Sequence, residues 1–264
     1  MKNPKNILIT GGGSGIGRAL AIAYSKSGVN LFLCGRNLEK LQVTKTLCAE
    51  LKANVYLEIL DVCDEAATKN WIEKIEENFA LDLVIANAGI SAGTSEGLEA
   101  ASQVQKIFTT NLNGVLNIIH PAIEKMKNRR KGQIGIVSSL AGFRGLPSSP
   151  AYSASKSAVR VYAEGLRGNL EKMGIEVNAI CPGYVKTPMT DVNEFPMPFI
   201  MEAHKCAKII KNGLEKNQSR IAFPFPLYFV VWLSTLLSTK ITDPIFARLP
   251  RKKGLAEYTK LTIS

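Results

Sequence analysis

Seven short apolar runs recur along this 264-residue chain, and a stretch of helical periodicity follows each of the first six. The runs are Asn6–Thr10, Asn30–Cys34, Asn54–Leu60, Leu81–Ala86, Gln133–Ser138, Glu176–Ile180 and Ser219–Phe223. The helical patterns cover Ile16–Ser27, Leu38–Lys52, Glu65–Phe79, Leu98–Lys127, Ala151–Lys172 and Met201–Lys216. Runs this apolar fit strands covered on both faces, and regular strand–helix alternation implies right-handed parallel crossovers. The expected class is α/β: a single doubly wound domain over residues 1–264, with a parallel seven-stranded sheet and helices on both faces. No repeat, low-complexity tract or Pro/Gly/Ser-rich linker divides it.

The first run ends in Thr10-Gly11-Gly12-Gly13-Ser14-Gly15-Ile16-Gly17, where a helix begins. Glycines accept positive φ and let the backbone approach a pyrophosphate, while the helix N-terminus offers unpaired N–H groups to the anion. A glycine cluster alone also suits a tight structural turn. Its position between the first strand and first helix is the context that dinucleotide binding requires. At the end of the second strand an acidic residue would hold a ribose 2′-hydroxyl. Here the chain reads Cys34-Gly35-Arg36-Asn37. With no carboxylate to repel a 2′-phosphate and an arginine to pair with it, NADP(H) is favoured. If Arg36 is only a solvated surface residue, NAD(H) serves as well.

Apolar residues make up 46% and charged residues 21%, which suits a folded globular chain. The formal charge of +11 reads first as a basic, soluble surface, and it also suits anionic substrates, phosphate-bearing cofactors or an anionic membrane. No basic stripe interleaves with aromatics, so nucleic acid is not an expected partner. The five cysteines lack CxxC spacing and read as free thiols in a reducing compartment. The two histidines, His120 and His204, form no ligand pattern, so no metal is expected. The apolar run Ile7–Ile9 is too short for a secretory signal, and a cytoplasmic location, with or without membrane association, is the expectation.

Tyr152 and Lys156 stand four apart in a helical pattern and so share a face. A tyrosine ionises near pH ~10, and a neighbouring ammonium favours the phenolate, bringing a general acid/base toward neutral pH. Ser139 follows a predicted strand at its carboxyl end, where parallel sheets bind ligands. A tyrosine–lysine pair at this spacing usually means nothing by itself.

The set as a whole resembles the short-chain dehydrogenase/reductase family, a Rossmann-type fold, over roughly residues 5 to 190. Thr10–Gly17 resembles its TGxxxGxG motif, and Asp61-Val62 matches the pair that contacts adenine. Asn87-Ala88-Gly89 matches its NNAG signature, with Ala86 in place of the first Asn. Asn111 sits where the family has a catalytic asparagine, and Ser139, Tyr152 and Lys156 match its Ser-Tyr-Lys set in order and spacing. Pro182-Gly183, with Val185 and Thr187, resembles the segment that meets the nicotinamide carboxamide.

The resemblance implies a hydride-transferring oxidoreductase, a carbonyl reductase or alcohol dehydrogenase, commonly a homodimer or homotetramer. Tyr152 would exchange the proton, Lys156 lower its pKa and hold the ribose, Ser139 polarise the carbonyl and Asn111 anchor a relay water. A non-catalytic NADP-binding sensor or scaffold on the same fold is the alternative.

Past Thr187 the pattern fades. Residues 187–205, rich in Pro, Met and Phe, are expected to form a substrate lid, and residues 224–264 an apolar C-terminal extension. Within it Pro226–Leu237 is too short to span a bilayer. It suits a cover over the pocket, a dimer contact or, with Trp232 and the basic Arg248, Arg251, Lys252 and Lys253, peripheral membrane contact. A pocket cover of this kind suits a lipophilic ketone or alcohol. Ile90, Leu140, Phe143, Leu146 and Tyr184 follow the catalytic strands and are the expected substrate contacts.

Overall fold

The computed structural model describes residues 1–95 and 97–255. The strands are β1 (Asn6–Thr10), β2 (Asn30–Gly35), β3 (Asn54–Ile59), β4 (Leu83–Ala86), β5 (Gly132–Val137), β6 (Ile175–Pro182) and β7 (Arg220–Phe223). They form one seven-stranded sheet in the order β3-β2-β1-β4-β5-β6-β7, and every pairing is parallel. The strand order reverses between β1 and β4, and the crevice beyond their carboxyl ends is where such sheets take ligands.

Side chains alternate across the sheet. Ile7 and Ile9 face a core built with Leu20, Leu41 and Ile210 from α1 (Gly15–Tyr24), α2 (Leu38–Glu50) and α8 (Ala203–Glu215). Leu8 faces the other core, built with Ile72, Ile118 and Val159 from α3 (Glu65–Glu76), α5 (Gly114–Arg129) and α6 (Pro150–Leu170). Two further short helices are α4 (Ala101–Phe108) and α7 (Pro188–Asp191). Asn37 and Asp64 cap α2 and α3, their side chains accepting from the Lys40 and Ala67 amides at 2.8 and 2.9 Å.

The predicted helix Leu98–Lys127 is interrupted. It begins at Ala101, and a π-helical turn over Thr109–Asn113 separates α4 from α5. Among the described residues, α9 (Phe225–Thr235) and α10 (Thr239–Phe246) follow β7. Among the described residues no helix is long and apolar enough to cross a membrane.

Candidate active site

The β1–α1 loop turns through two left-handed glycines, Gly11 at φ +66° and Gly15 at φ +51°. Gly17 must remain a glycine, because a Cβ there would lie 2.2 Å from the Gly11 carbonyl oxygen. The Thr10 hydroxyl accepts from the Asn87 and Ala88 amides, each at 2.9 Å, and the Asn87 side chain returns a bond to the Thr10 carbonyl at 2.8 Å. These bonds tie the loop after β1 to the loop after β4 across the crevice. The Gly12 amide reaches the Cys34 carbonyl at 3.1 Å, joining the loop to β2. Arg18, which the sequence reading passed over, holds the loop from behind through the Gly13 carbonyl and the Thr44 hydroxyl. Ser14 precedes α1 in extended backbone and does not cap it, while Ile16 packs on the core.

Arg36 and Asp61, at the ends of β2 and β3, approach to 3.8 Å with side chains 61% and 45% exposed. Such a surface pair adds little stability and leaves the guanidinium open to a second anion. Val62 packs tightly on the start of α5, against Gly114.

Beyond β4 and β5 the polar groups converge. Asn111 is fully buried within the π turn, an irregularity often found at functional sites. Its side chain accepts from the Ile90 amide at 2.8 Å and donates to the Ile90 carbonyl and the Ser155 hydroxyl at 2.9 and 3.1 Å. Ser155 in turn donates to the Tyr152 carbonyl at 2.8 Å. Gly89 lies where Asn111 and Lys156 meet: a Cβ on it would sit 3.1 Å from the Asn111 amide oxygen and 3.3 Å from the Lys156 ammonium. Lys156 is buried, donates to the Val137 carbonyl at 2.9 Å, and lies 6.0 Å from the centre of the Tyr152 ring. Burial pushes its ammonium down to about 8. Ser139 lies two residues past β5 and caps the turn over Leu140–Gly142, accepting from the Ala141 amide at 3.1 Å.

The expected lowering of the Tyr152 pKa is reversed. Burial raises it first of all, the Ser139 hydroxyl opposes that through a hydrogen bond, and neighbouring Tyr184 adds to the rise. Desolvation of the phenolate outweighs the Ser139 hydrogen bond, and the Lys156 ammonium is turned to the Val137 carbonyl.

From β6, the Gly183 amide bonds the Phe223 carbonyl at 2.7 Å; Val185 is buried and bridges to Met201. Thr187 caps α7, and its methyl group lies 3.0 Å from where a Gly15 Cβ would be. Glycine loop, crevice, Arg36 and the Asn111–Lys156 pair thus form one cradle that a nicotinamide dinucleotide fits: the loop leaves the pyrophosphate no side chain to meet at Gly11 or Gly15.

The five expected substrate contacts meet different surroundings. Leu140 is 3% exposed and belongs to the larger of the two main cores. Phe143 is held between Arg160 and Arg220, 4.6 and 5.3 Å from its ring centre, and meets Tyr228 edge-on. Tyr184 faces Phe195 at 6.4 Å, Ile90 packs on the cluster of Ala92, Ile107 and Ala151, and the Leu146 amide bonds the Ser153 hydroxyl at 3.3 Å. Sequence reasoning also missed Lys252, whose ammonium lies 5.8 Å from the centre of the Tyr152 ring.

The short chain dehydrogenase family pattern matches residues 5–195. A protein from Myxococcus xanthus, named an uncharacterized oxidoreductase, is 35% identical over 246 residues, covering 93% of this chain and 97% of its own. A 3-oxoacyl-[acyl-carrier protein] reductase from Brucella melitensis with bound NAD superposes with a TM-score of 0.70 at 28% identity, covering 83% of this chain and 87% of that one. A short-chain dehydrogenase from Sphingobium yanoikuyae in complex with NADPH superposes with a TM-score of 0.77 at 21% identity, over 96% of this chain and all of that one, and shares the fold. A family pattern over residues 5–195 and a relative 35% identical across almost the whole chain establish it: the chain belongs to the short chain dehydrogenase family and is an oxidoreductase.

Proposed function

We propose that the chain reduces a ketone to an alcohol with NADPH, Tyr152 giving the proton. The observation that carries this reading is the phenol itself. Tyr152 neighbours Ser139 and Tyr184, with the buried Lys156 ammonium 6.0 Å from its ring centre, and burial raises its pKa further above neutral, so it is present as the protonated phenol that a proton donor needs. The bound cofactor supplies the hydride, and the protein supplies placement and electrostatics. Ser139 orients the substrate oxygen toward the phenol. Lys156 favours the phenolate left behind and holds the ribose. Asn111, through Ile90 and Ser155, keeps the loop after β4 and the first turn of α6 in register and anchors the relay water.

NADPH is preferred because Arg36 meets the 2′-phosphate. Thr10, Gly11, Gly13, Ser14, Gly15, Ile16 and Gly17 hold the pyrophosphate side, Asp61, Val62, Asn87, Ala88 and Gly89 the adenosine side and crevice, and Pro182, Gly183, Val185 and Thr187 the carboxamide. Residues 187–205 act as the lid, and Ile90, Leu146 and Tyr184 line a pocket for a lipophilic ketone. The protein pairs with a second copy through its long helices, and the apolar face of α9 rests on an anionic membrane surface.

The test follows NADPH absorbance across a ketone panel, with Y152F beside the unaltered protein. Turnover that falls at least about 100-fold in Y152F, with NADPH affinity retained, is the expected result. Tight NADPH binding without turnover of any ketone overturns it in favour of a sensor or scaffold.

A further inference from the structure

The chain after α10 doubles back over the site. The Gly93 amide donates to the Lys253 carbonyl at 2.8 Å and the Ser95 amide to the Lys252 carbonyl at 2.9 Å. The Gly254 and Leu255 amides donate to the Ser95 hydroxyl and the Gln103 side-chain oxygen at 2.7 and 2.6 Å. Leu255 packs on the cluster of Ala92, Ile107 and Ala151, and Lys253 forms an ion pair with Glu194 of the lid. Residues 252–255 are therefore a strap fixed to the loop after β4 on one side and to the lid on the other.

This strap carries one cation inward. The half-buried Lys252 donates to the Ser91 hydroxyl at 2.8 Å and lies 5.8 Å from the Tyr152 ring centre, the counterpart of Lys156 at 6.0 Å. Among the described residues no carboxylate pairs with it: Glu194 serves Lys253, and Glu99 accepts from Gln103 and the Ala151 amide. Its ammonium has lost water without gaining a counter-charge, and burial pushes it down to about 8. An unpaired, poorly hydrated cation is costly, and an arriving anion relieves that cost.

We infer that Lys252, with the Ser91 hydroxyl beside it, binds an anionic group of the substrate, so that the ketone reduced at Tyr152 is an oxo carboxylate. The carboxylate accepts from both the Lys252 ammonium and the Ser91 hydroxyl, which meet at 2.8 Å, and the ketone oxygen faces the phenol. This rests on the reduction proposed above and names its substrate class. Lys252 is then a specificity-determining residue: it discriminates between an acid and its ester.

The full-length protein saturated with NADPH is tested with 3-oxobutanoate and ethyl 3-oxobutanoate, and with 3-oxooctanoate and its methyl ester. The unaltered protein is expected to prefer each acid over its ester by about 10- to 100-fold in kcat/KM, the range of a hydrogen bond to a charged group. K252M removes that preference, mainly through KM for the acid, and K252R restores most of it. Calorimetric binding of 3-oxobutanoate to the NADPH-loaded protein is measured alongside and weakens by a similar factor in K252M. An unaltered protein that does not favour the acids in either measurement, or a K252M that still favours them, overturns the inference. If the acids bind through Lys252 and nothing turns over, the reductase reading fails and the anion site stands.

Discussion

At the scale of single residues the site is governed by one phenol with two ammonium groups within about 6 Å of its ring centre. Burial lowers both Lys156 and Lys252 from 10.5 to about 8, and it raises Tyr152. The phenol therefore stays protonated while the lysines titrate. The groups facing them are Tyr152, Tyr184, Ser91 and, toward Lys156, the Cys181 thiol. Both lysines are mostly charged at pH 7, so kcat/KM for an anionic ketone is expected to be level below pH 8 and to fall above it; a profile that rises through pH 8 contradicts this. The sign for stability is opposite. A lysine with a folded pKa below its unfolded one destabilises the fold at low pH, and the penalty is released as pH rises from about 8 to 10.5. K252M is accordingly expected to melt a few degrees higher at pH 7, on the order of 1 kcal/mol, with the gain shrinking toward pH 10. A lower melting point at pH 7 would mean that the Ser91 bond outweighs the desolvation. Arg36 has a separate role. With its guanidinium 61% exposed and only a 3.8 Å contact to Asp61, R36L should raise KM for NADPH by about 10- to 100-fold and leave NADH little changed. An equal loss for both cofactors would place Arg36 outside the 2′-phosphate site. Residue identity and spacing brought Ser139, Tyr152 and Lys156 to notice. The direction of the tyrosine shift was not legible, because it depends on burial that spacing does not report.

At the scale of elements, strands were more legible than helix breaks. β1 has the bounds that periodicity gives it, and the other strands differ by two residues or fewer at either end, since a strand covered on both faces leaves an apolar run in the sequence. The π turn at Thr109–Asn113 leaves no such trace: one extra residue in a helical turn hardly disturbs the period, yet it sets Asn111 against Ile90 and Ser155. The strap is illegible for another reason. Its bonds join positions about 160 apart, such as Lys252 and Ser91, and Arg251-Lys252-Lys253 reads locally as a basic surface cluster. The β1–α1 element allows a test of its own. In G17A the new methyl would lie 2.2 Å from the Gly11 carbonyl, so backbone must move. NADPH affinity is expected to fall at least about 10-fold and the melting point to drop, by the measure of an overpacked site. G145A, where nothing lies within 4 Å, is the matched control. NADPH titrations in which both variants behave alike would show that the loop tolerates the shift.

For the molecule as a whole, charge and apolar surface lie together at the C-terminal end. α9 leaves Phe225, Val230 and, just beyond it, Leu236 exposed at 70%, 63% and 65%, and Ile241 and Ile245 of α10 continue the apolar surface. No charged residue falls within α9, and among the described residues no helix is long and apolar enough to span a bilayer. Lys240, Arg248 and Arg251 flank it, and the whole chain carries +11. An apolar helix with cations beside it, lying flat at the headgroup level, gains from both burial and charge. β7 leads directly into α9, and α10 is tied to the active-site side by Arg144, which contacts Thr242 and Asp243. A membrane under α9 would therefore lie beside the route to the strap and the lid. The protein is expected to sediment with vesicles containing phosphatidylserine and to remain in solution with phosphatidylcholine alone. F229E/V230E should abolish that binding and leave reduction of 3-oxobutanoate in solution unchanged, because both side chains are exposed, at 47% and 63%. Binding that is indifferent to lipid charge would remove the electrostatic part of the argument. A shift of the variant to a smaller species in sedimentation, with no vesicle binding by the unaltered protein, would assign the face to a second copy of the chain instead.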